Sequence, residues 1–373
     1  MRICGVIASL GAGGAERVIV ELCTAWHARD DAVSLLTLDD GCGDFYTAPV
    51  GVRRVALDLA SASQSKAAAL RATVHRVRTL RRALIAERPD VIVSFTDRTN
   101  VLVLIAARGL GIPVVVSERT DPRRHEIGRA WHLLRRLLYP AAAALVVQTD
   151  AVRTWAEAML PAHRVAVIPN PLRRASVALT PAGTRRLQIT AVGRLVASKG
   201  FDVAIDAFGS ITAMFPEWQL SIYGEGPDRA SLQARIDVRG LGTRITLAGL
   251  SATVDAALAS SSVFVLPSRY EGFPNALLEA MAHGCACVAT TCDSGPADLI
   301  TDGVSGRLVP VDDAPALAAA LASLLSDASA RSLMGAEAVA TSERFALATV
   351  LRAWDRVFTS VVTSTGGDAR RVA

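Results

Sequence analysis

The sequence predicts an α/β protein made of two doubly wound domains that face each other across a cleft. Short, mostly apolar segments alternate with longer helical segments along the whole chain, which is the pattern of parallel strands joined by crossover helices. A change of composition near residue 180 separates two such series of similar size. The length of 373 residues is enough for two hydrophobic cores.

The first domain, predicted over residues 1–172, opens with a strand at 2–8, a glycine loop and a helix from about residue 15. Gly13 and Gly14 in the loop allow a ligand or another domain to approach the backbone closely, and a helix start after such a loop favours phosphate binding. The dinucleotide pattern G-x-G-x-x-G fails because its last position is Glu16, so an NAD site is not expected. A tight turn without a ligand is the alternative interpretation.

The rest of this domain continues the alternation. Further strands are predicted at residues 33–38, 52–57, 91–95, 114–117, 145–148 and 165–168. Between them lie a long basic helical region at 61–87, an apolar helix from about residue 101 and a basic amphipathic segment at 123–139. The apolar set of that segment is Trp131, Leu133, Leu134, Leu137 and Leu138. The segment either lies on a membrane interface or packs its apolar side on the sheet.

Residues 173–186 lack periodicity and are predicted to be the interdomain linker, and the second domain follows over 187–344. Its strands are predicted at residues 188–192, 219–223, 245–247, 263–266, 288–290 and 308–309, with helices between them. A helix at about 345–362 is expected to pack back near the first domain. The last residues, 364–373, are expected to be frayed.

Charge is distributed unevenly between the two halves. The net charge is +5, yet residues 1–180 alone have a surplus of eight positive charges. A basic half favours an anionic partner, such as a membrane surface, a lipid phosphate or nucleic acid. Nucleic acid is disfavoured because aromatic stacking residues are sparse, at 5% of the chain. Lys66 and Lys199 are the only lysines in this arginine-rich chain, so a lysine at a motif position favours a specific role.

The cysteines show no disulfide framework, which favours a reducing cytoplasmic compartment. His283, Cys285, Cys287 and Cys292 cluster in the sequence, but their spacing matches no closed zinc pattern, and they are interpreted as a buried strand with small apolar thiols. No metal site is therefore expected. The amino terminus lacks the regions of a signal peptide, and no apolar run is long enough to cross a membrane.

The clearest chemical signal of the second domain is a pair of cations after its first strand. Arg194 and Lys199 lie five residues apart in the loop before the next helix. Two cations in such a loop suit a diphosphate, because arginine offers a planar fork and lysine a mobile point charge. Gly224 and Gly249 follow the next two strands and would allow a flat base to approach the backbone. A solvated loop is the alternative interpretation of the cation pair.

A second signal lies at residues 268–284, SRYEGFPNALLEAMAHG, where seven residues separate Glu271 from Glu279. The loop is predicted to become a helix near Pro274, since proline fits the first helical turn. The free N–H groups and dipole of such a helix favour an anion at its start, and Glu279 would lie about one turn further in. Together with Arg194 and Lys199, this arrangement predicts a nucleoside diphosphate at the carboxyl ends of the strands.

Several of these segments resemble motifs of the family 4 retaining glycosyltransferases, whose GT-B architecture has two facing Rossmann-like domains. In chain order they are GAGGAER, VIPNP, GRLVASKGFD, IYGEGP, LPSRYEGFPNALLEAMAHG and GPADLITDGVSGRLVP. The resemblance covers essentially the whole chain, and the two-glutamate motif is its most specific part. The stretch SERTDP at 117–122 is similar to bacterial members that extend lipid-linked surface glycans.

The resemblance implies a role for each matching residue. Arg194 and Lys199 would hold the donor diphosphate, Glu279 would bind the ribose hydroxyls and Glu271 would contact hydroxyls of the transferred sugar. The loop before the central helix and its first turn, Gly272, Phe273, Pro274 and Asn275, would meet the sugar or the phosphates. Gly13 and Gly14 would close the site from the first domain. Glu118, Arg119 and His125 are further candidates for acceptor or sugar contacts.

The reaction that the resemblance implies is transfer of a hexose or N-acetylhexosamine from a nucleotide sugar, UDP-linked by preference, with retention of configuration. The acceptor would be a glycan or a polyprenyl-diphosphate-linked glycan, reached from the cytoplasm or from the inner face of the plasma membrane. The donor is a co-substrate, and no separate cofactor is expected. Glu271 as a covalent nucleophile is the less favoured route. A nucleotide-sugar epimerase and a non-catalytic nucleotide-sugar-binding subunit remain as alternatives.

Overall fold

The protein is described by a computed structural model that covers residues 1–59, 66–173, 180–251 and 253–368. The chain forms two compact units: unit 1 contains Met1–Asn170 and the chain from Ala348 onward, and unit 2 contains Pro171–Leu347. Parts of three predictions lie outside the described residues: the start of the basic helical region at 60–65, the middle of the linker at 174–179 and the end of the chain at 369–373.

Unit 1 is built on a seven-stranded parallel sheet. Its strands are β1 (Arg2–Ile7), β2 (Ala32–Thr37), β3 (Arg53–Ala56), β4 (Val91–Phe95), β5 (Val114–Ser117), β6 (Ala144–Val147) and β7 (Val165–Val167), in the order β3-β2-β1-β4-β5-β6-β7. The helices that alternate with them are α1 (Gly14–His27), α2 (Lys66–Glu87), α3 (Asp97–Ala107), α4 (Arg129–Leu138) and α5 (Asp150–Glu157). The strand order reverses direction between β1 and β4.

Unit 2 repeats this plan with a six-stranded parallel sheet. Its strands are β8 (Arg186–Val192), β9 (Gln219–Tyr223), β10 (Ile245–Gly249), β11 (Ser261–Leu266), β12 (Ala286–Thr290) and β13 (Arg307–Val309), in the order β10-β9-β8-β11-β12-β13. Its helices are α6 (Phe201–Ile211), α7 (Arg229–Val238), α8 (Val254–Ser260), α9 (Asn275–Ala282), α10 (Pro296–Leu299), α11 (Ala314–Ser326) and α12 (Ala328–Ser342). The order reverses between β8 and β11, and the prediction of doubly wound α/β units is confirmed.

The central strands are mainly apolar because both faces of each sheet are covered by helices. In β11, Val263 and Val265 pack in one core cluster, whereas Phe264 and Leu266 pack in another on the opposite face. All four are at most 2% exposed. This division follows the period of two of a strand and explains why residues 263–266 are apolar on both faces.

The last helix, α13 (Leu347–Asp368), packs within unit 1. Its Trp354 is fully buried, with its ring centroid 5.9 Å from that of Trp26 on α1 and 6.3 Å from that of Phe95 on β4. At the surface, Arg29 forms a bidentate ion pair with Asp355 at 2.8 and 2.9 Å. Aromatic burial of this kind is a large source of packing energy, and it ties the end of the chain to the first sheet.

Two helices begin elsewhere than the sequence predicts. α3 starts at Asp97, four residues before the predicted start, since a carboxylate in the first turn complements the helix dipole. α4 starts only at Arg129, after Gly128 with φ of 87°. Residues before it form a loop, in which the carboxylate of Asp121 accepts hydrogen bonds from the backbone and guanidinium of Arg123. These local hydrogen bonds compete with helix formation.

Within the described part of the chain, the helices are too short or too polar to cross a bilayer.

Candidate active site

The site of unit 2 lies where the strand order reverses, between β8 and β11. Ligands of open α/β sheets bind at the carboxyl ends of the strands at such a switch point. The loop after β8 contains Arg194 and Lys199, and the loop after β11 contains Glu271. The two loops are in backbone contact, because a Cβ on Gly200, whose φ is 63°, would overlap the carbonyl oxygen of Pro267. Glycine is therefore needed at position 200.

Lys199 and Glu271 form an ion pair across these two loops. The Lys199 Nζ lies 2.7 and 2.8 Å from the two carboxylate oxygens of Glu271. The side chain of Lys199 is 24% exposed and that of Glu271 is 6% exposed. The hydroxyl of Ser268 donates a further hydrogen bond of 2.6 Å to Glu271 Oε1. The structure thus joins two residues that the sequence analysis assigns to different parts of a ligand.

Arg194 stands on the same loop as Lys199 but is exposed. Among the described residues its guanidinium has no hydrogen-bond or ion-pair partner.

Gly224 and Gly226, in the loop after β9, pack against the Arg194 loop. A Cβ on Gly224 would overlap the carbonyl oxygen of Gly193, and a Cβ on Gly226 would overlap that of Leu195. Backbone hydrogen bonds from Gly193 to Tyr223 and from Leu195 to Glu225 join the two loops. The glycines therefore support the loop of Arg194, and Gly249 continues this layer by accepting a hydrogen bond from the N–H of Gly224.

The start of α9 has the geometry that the sequence predicts. Pro274 occupies the N-cap position and Asn275 begins the helix. The carbonyl of Gly272 accepts a hydrogen bond from Ser294, and Phe273 is buried with its ring centroid 5.8 Å from that of Phe345. Phe273 therefore contributes apolar packing that holds this loop. Glu279 lies one turn into the helix and is only 8% exposed.

The corresponding edge of unit 1 is formed by the loops after β1 and β4. Gly13 precedes α1, and a Cβ on Gly13 would overlap the carboxylate of Glu16 in the first turn of that helix. Burial raises the pKa of Glu16 above its ordinary value. After β4, Thr96 has a φ of 73°, which is strained for a β-branched residue. Asp97 follows it, with Oδ2 at 3.5 Å from Nε2 of His125.

Glu118, at the end of β5, is held in a buried network. Its Oε1 accepts a hydrogen bond of 2.5 Å from the hydroxyl of Tyr139 and lies 3.6 Å from the guanidinium of Arg135. Asn100 donates to the same tyrosine oxygen at 3.1 Å. Burial raises the pKa of Glu118 to about 7, against the lowering effects of Tyr139 and Arg135. The side chain is 1% exposed, so an acceptor contact by Glu118 would require this network to open.

Arg119 is also buried. Its guanidinium carbon lies 3.9 Å from the ring centroid of Phe95 and 5.8 Å from that of Trp354. Its Nη1 donates a hydrogen bond of 2.7 Å to Asn170, and burial lowers its pKa to about 9. Arg119 therefore joins β4 and α13 to Asn170, which ends the first segment of unit 1. Of the three weaker candidates in the first domain, only His125 is substantially exposed, at 42%.

Two polar sets at these edges were missed by the sequence analysis. Thr96 and Asp97 belong to the stretch TDRTN after β4, and Arg269 lies in the loop of Glu271. The signal for Thr96 and Asp97 was a polar run directly after a buried strand. Their place beside the loop after β1 could not be predicted, because the sequence does not show that β4 is the neighbour of β1. Among the described residues no cluster of three histidine, cysteine or acidic side chains could hold a metal ion.

Comparisons with known proteins cover nearly the whole chain. The family described as "Glycosyl transferase 4-like domain" matches residues 13–171, and the family described as "Glycosyl transferases group 1" matches residues 186–327. These two matches correspond to the two series of strands and helices.

Curated relatives include enzymes that act on polysaccharides and lipid-linked glycans. An exopolysaccharide phosphotransferase of Streptomyces coelicolor is 34% identical over 305 residues, which are 79% of this chain but only 31% of that protein. The chain therefore spans about a third of that relative's length. An α-1,4-N-acetyl-D-galactosaminyltransferase of Campylobacter jejuni, named for a substrate linked to PP-undecaprenol, is 27% identical over 97% of this chain and 99% of its own.

Two solved structures illustrate the shared fold. Anabaena HepE, solved with UDP and glucose, superimposes with a TM-score of 0.82 at 19% identity, over 96% of this chain and 100% of its own. The lipopolysaccharide outer core galactosyltransferase WaaB superimposes with a TM-score of 0.75 at 20% identity, over 96% and 99% of the two chains. At these identities the likeness concerns the fold.

Proposed function

This chain belongs to the family 4-like glycosyltransferases, whose fold is termed GT-B, and we propose that it transfers a hexose or N-acetylhexosamine from a nucleotide sugar with retention of configuration. The proposed acceptor is a glycan or polyprenyl-diphosphate-linked glycan of a bacterial surface polysaccharide. The observation that carries this proposal is the Lys199–Glu271 pair at the switch point of unit 2, with the exposed Arg194 beside it on the same loop.

The proposed role of Arg194 and Lys199 is to stabilise the leaving diphosphate. As the bond between the sugar carbon and the donor oxygen breaks, negative charge grows on the diphosphate, while the sugar becomes oxocarbenium-like. Arg194 would meet the diphosphate with its planar fork, and Lys199 with a mobile ammonium. The cations would supply the charge that a divalent ion supplies elsewhere, so the proposal includes a metal-independent reaction.

The Lys199–Glu271 pair gives donor binding a defined order of contacts. Lys199 is held by the buried carboxylate of Glu271, so a donor diphosphate would have to draw the ammonium away or share it. Glu271 would then turn its carboxylate to hydroxyls of the transferred sugar. Glu279, one turn into α9, would bind the ribose hydroxyls, and the start of α9 would face the donor's negative charge.

The donor and the reaction type are tested together. The purified protein is incubated with UDP-, GDP- and other nucleotide sugars, thermal stabilisation is measured, and release of nucleotide diphosphate is followed with and without a glycan acceptor. We expect stabilisation by a UDP-sugar and release that depends on the acceptor. Conversion of the sugar without an acceptor would indicate an epimerase, and binding without transfer to any acceptor would indicate a non-catalytic subunit. The UDP preference draws support from the HepE complex.

Two further measurements separate the finer parts of the proposal. NMR of the anomeric proton in the first-formed product should show the same configuration as in the donor, and inversion would exclude the retaining route. Excess chelator should leave the rate unchanged. Loss of activity in chelator that a divalent ion restores would exclude metal independence.

We also propose an anionic membrane surface as a partner, on the evidence of α4. At 100° per residue, one face of this helix presents Leu133 and Leu137, which are 58% and 64% exposed, and the exposed Arg129 and Arg136 lie next to them on one side. The opposite face is inside: Arg135 is buried against Glu118. The residues of α4 that pack on the core of unit 1 are Trp131, Leu134 and Leu138. The predicted apolar set is thus divided between two faces, and the outer leucines with the arginines beside them suit an anionic lipid interface.

Vesicle co-sedimentation tests this partner. The double variant Leu133→Ser/Leu137→Ser should lose binding to vesicles that contain phosphatidylglycerol, and the wild type should bind less as salt increases, because exposed charges are screened. The matched control is Leu333→Ser on α12, which removes a leucine that is 71% exposed in unit 2. Equal binding by the double variant and the control would exclude α4 as the membrane surface.

A further inference from the structure

Arg269 connects the two loops that hold the ion pair of the site. It lies two residues before Glu271, and its backbone N–H donates a hydrogen bond of 2.8 Å to the carbonyl of Ser198, next to Lys199. Its guanidinium Nη1 donates to the carbonyl of Ala197. Arg269 therefore attaches the turn of Ala197 and Ser198, directly before Lys199, to the loop of Glu271 through both its backbone and its side chain.

The other nitrogens of the guanidinium are bound by two carboxylates. Nη1 and Nη2 lie 3.0 and 2.8 Å from the two oxygens of Asp202 on α6, and Nε lies 2.7 Å from Asp312 after β13. Burial of Asp202 raises its pKa, but the hydrogen bonds and charge of Arg269 outweigh this and hold the pKa below its ordinary value. All three kinds of guanidinium nitrogen are thus used, in a planar arrangement that a lysine ammonium does not reproduce.

A neighbouring arginine forms a similar ion pair with α6 but, among the residues that the structure describes, makes no hydrogen bond with the turn before Lys199. Arg235 on α7 donates to both oxygens of Asp206 on α6 at 2.8 and 2.6 Å. Its side chain is 39% exposed, compared with 28% for Arg269. Both arginines join elements around α6, and among the described contacts only Arg269 reaches the turn of Ala197 and Ser198. Arg235 is therefore a matched control.

We infer that Arg269 is a positioning residue that holds the Lys199 ammonium beside the carboxylate of Glu271, so that both groups can contact the same donor. This inference rests on the proposed function of the Lys199–Glu271 site. Arg269 acts through the loop and touches no reacting atom. Its removal should therefore slow the chemical step more than it weakens donor binding, since a displacement of about 1 Å of a catalytic group can cost roughly 10²-fold in rate.

The position of Lys199 can be measured without any activity, because the chain has only two lysines, Lys66 and Lys199. A protein labelled at lysine gives two side-chain NMR signals, and the signal that moves in Glu271→Gln is that of Lys199. We expect Arg269→Ala to shift the Lys199 signal and Arg235→Ala to leave it in place. An unchanged Lys199 signal in folded Arg269→Ala would overturn the inference. Asp202→Asn, which keeps Arg269 itself, provides a milder second variant with the same expected direction.

Kinetics and chemical rescue provide the functional readout. Arg269→Ala should lower kcat at least tenfold, with a change in donor KM of no more than about threefold. Guanidinium ion at non-denaturing concentration should restore part of the rate to Arg269→Ala, but none to Lys199→Ala. Equal rates for Arg269→Ala and Arg235→Ala would contradict the positioning role. A shifted Lys199 signal in a protein whose wild type transfers no sugar would sink the proposed function and leave the positioning intact.

Discussion

The carboxyl edges of the two sheets share a topology but differ in where their charges lie. In unit 2, Arg194 is exposed and the Lys199–Glu271 pair has a side-chain exposure of 24% on the lysine. In unit 1, Glu118 and Arg119 follow β5 at 2% and 7% exposure. Charges that stay near solvent can be transferred to a ligand at low cost, whereas buried charges depend on their protein partners.

Two sheets with the same doubly wound topology therefore differ in how their charged loop residues are used. At the switch point of unit 2, Arg194 is exposed and Lys199 is partly exposed, whereas the carboxylates of Glu271 and Glu279 are buried. In unit 1, Arg119 stacks on Phe95 and Trp354 and binds Asn170, so its charge serves the architecture. At this edge of unit 1, the side chain of His125 is 42% exposed and that of its partner Asp97 is 13% exposed, so His125 is the more accessible of the two. Substitutions in the two regions should therefore have separable effects on turnover and on stability.

The largest expected effect is the loss of turnover in Lys199→Ala. Removal of a cation that stabilises the leaving diphosphate should lower kcat by roughly 10²–10³-fold, as loss of a comparable charge-stabilising donor does. The measurement is the initial rate of acceptor-dependent nucleotide release. The control is Arg239→Ala, which removes an exposed cation paired to Asp206 at 2.9 Å. Near-normal turnover in Lys199→Ala would refute the assignment of the diphosphate to this loop.

The next effect concerns stability in unit 1. The pKa of Glu118 is raised from 4.5 to about 7, so the folded protein keeps a proton that the unfolded chain releases. The stability contributed by the protonated group is fully present below pH 4.5 and is lost as the pH rises through 7. The loss amounts to about 3 kcal/mol, at ~1.4 kcal/mol for each unit of pKa.

Glu118→Gln should remove this pH dependence, because glutamine does not titrate. Denaturant unfolding between pH 4.5 and 8 can be followed by tryptophan fluorescence, since Trp26, Trp131, Trp155 and Trp354 belong to unit 1 and only Trp218 to unit 2. The control is Glu157→Gln, an exposed acid of α5. Parallel pH profiles for wild type and Glu118→Gln would contradict the buried-network interpretation. If Glu118→Gln lost as much turnover as Lys199→Ala, the proposed difference between the two sheet edges would be wrong.

The smallest effect is also the most specific test of the ion pair. Glu271→Gln should release Lys199 from its carboxylate, so the affinity for UDP without a sugar should increase about tenfold, while sugar transfer slows. Calorimetry with UDP measures the first effect and initial rates the second. Asp206→Asn, which removes an acid bound to Arg235 and Arg239, serves as the control. If Glu271→Gln bound UDP no more tightly than wild type, Lys199 would not be held in competition with the donor.

Much of the fold and of the candidate site in unit 2 was predictable from local patterns. A buried strand followed by a loop and a helix places Arg194 and Lys199 at one sheet edge, and Glu271 and Glu279 at the same edge. The start of α9 was predictable to within one residue: a proline favours a helix start, and α9 begins at Asn275, directly after Pro274 at its N-cap. The pairing of Lys199 with Glu271 was not, because they are 72 residues apart and meet only since β8 lies beside β11.

Burial was the property least accessible from the sequence. Glu118 and Arg119 follow a strand just as Arg194 does, and local sequence does not distinguish a charge that faces a ligand from one that enters a core network. α4 shows the same limit: its five apolar residues form one set in the sequence, but three pack inward and two face outward. The reason is that Arg135 turns inward to Glu118, which fixes the rotation of the helix.

Periodicity and short-range spacing were enough to predict the two series of parallel strands, the family to which the chain belongs and the loops that contain the charged residues. Which of those residues meet depends on the tertiary structure. Strand order brought the loop of Lys199 against that of Glu271, placed Arg269 between them, and buried Glu118 and Arg119 in unit 1. Such contacts arise from long-range packing, on which both the local dielectric environment and the partners of a charge depend.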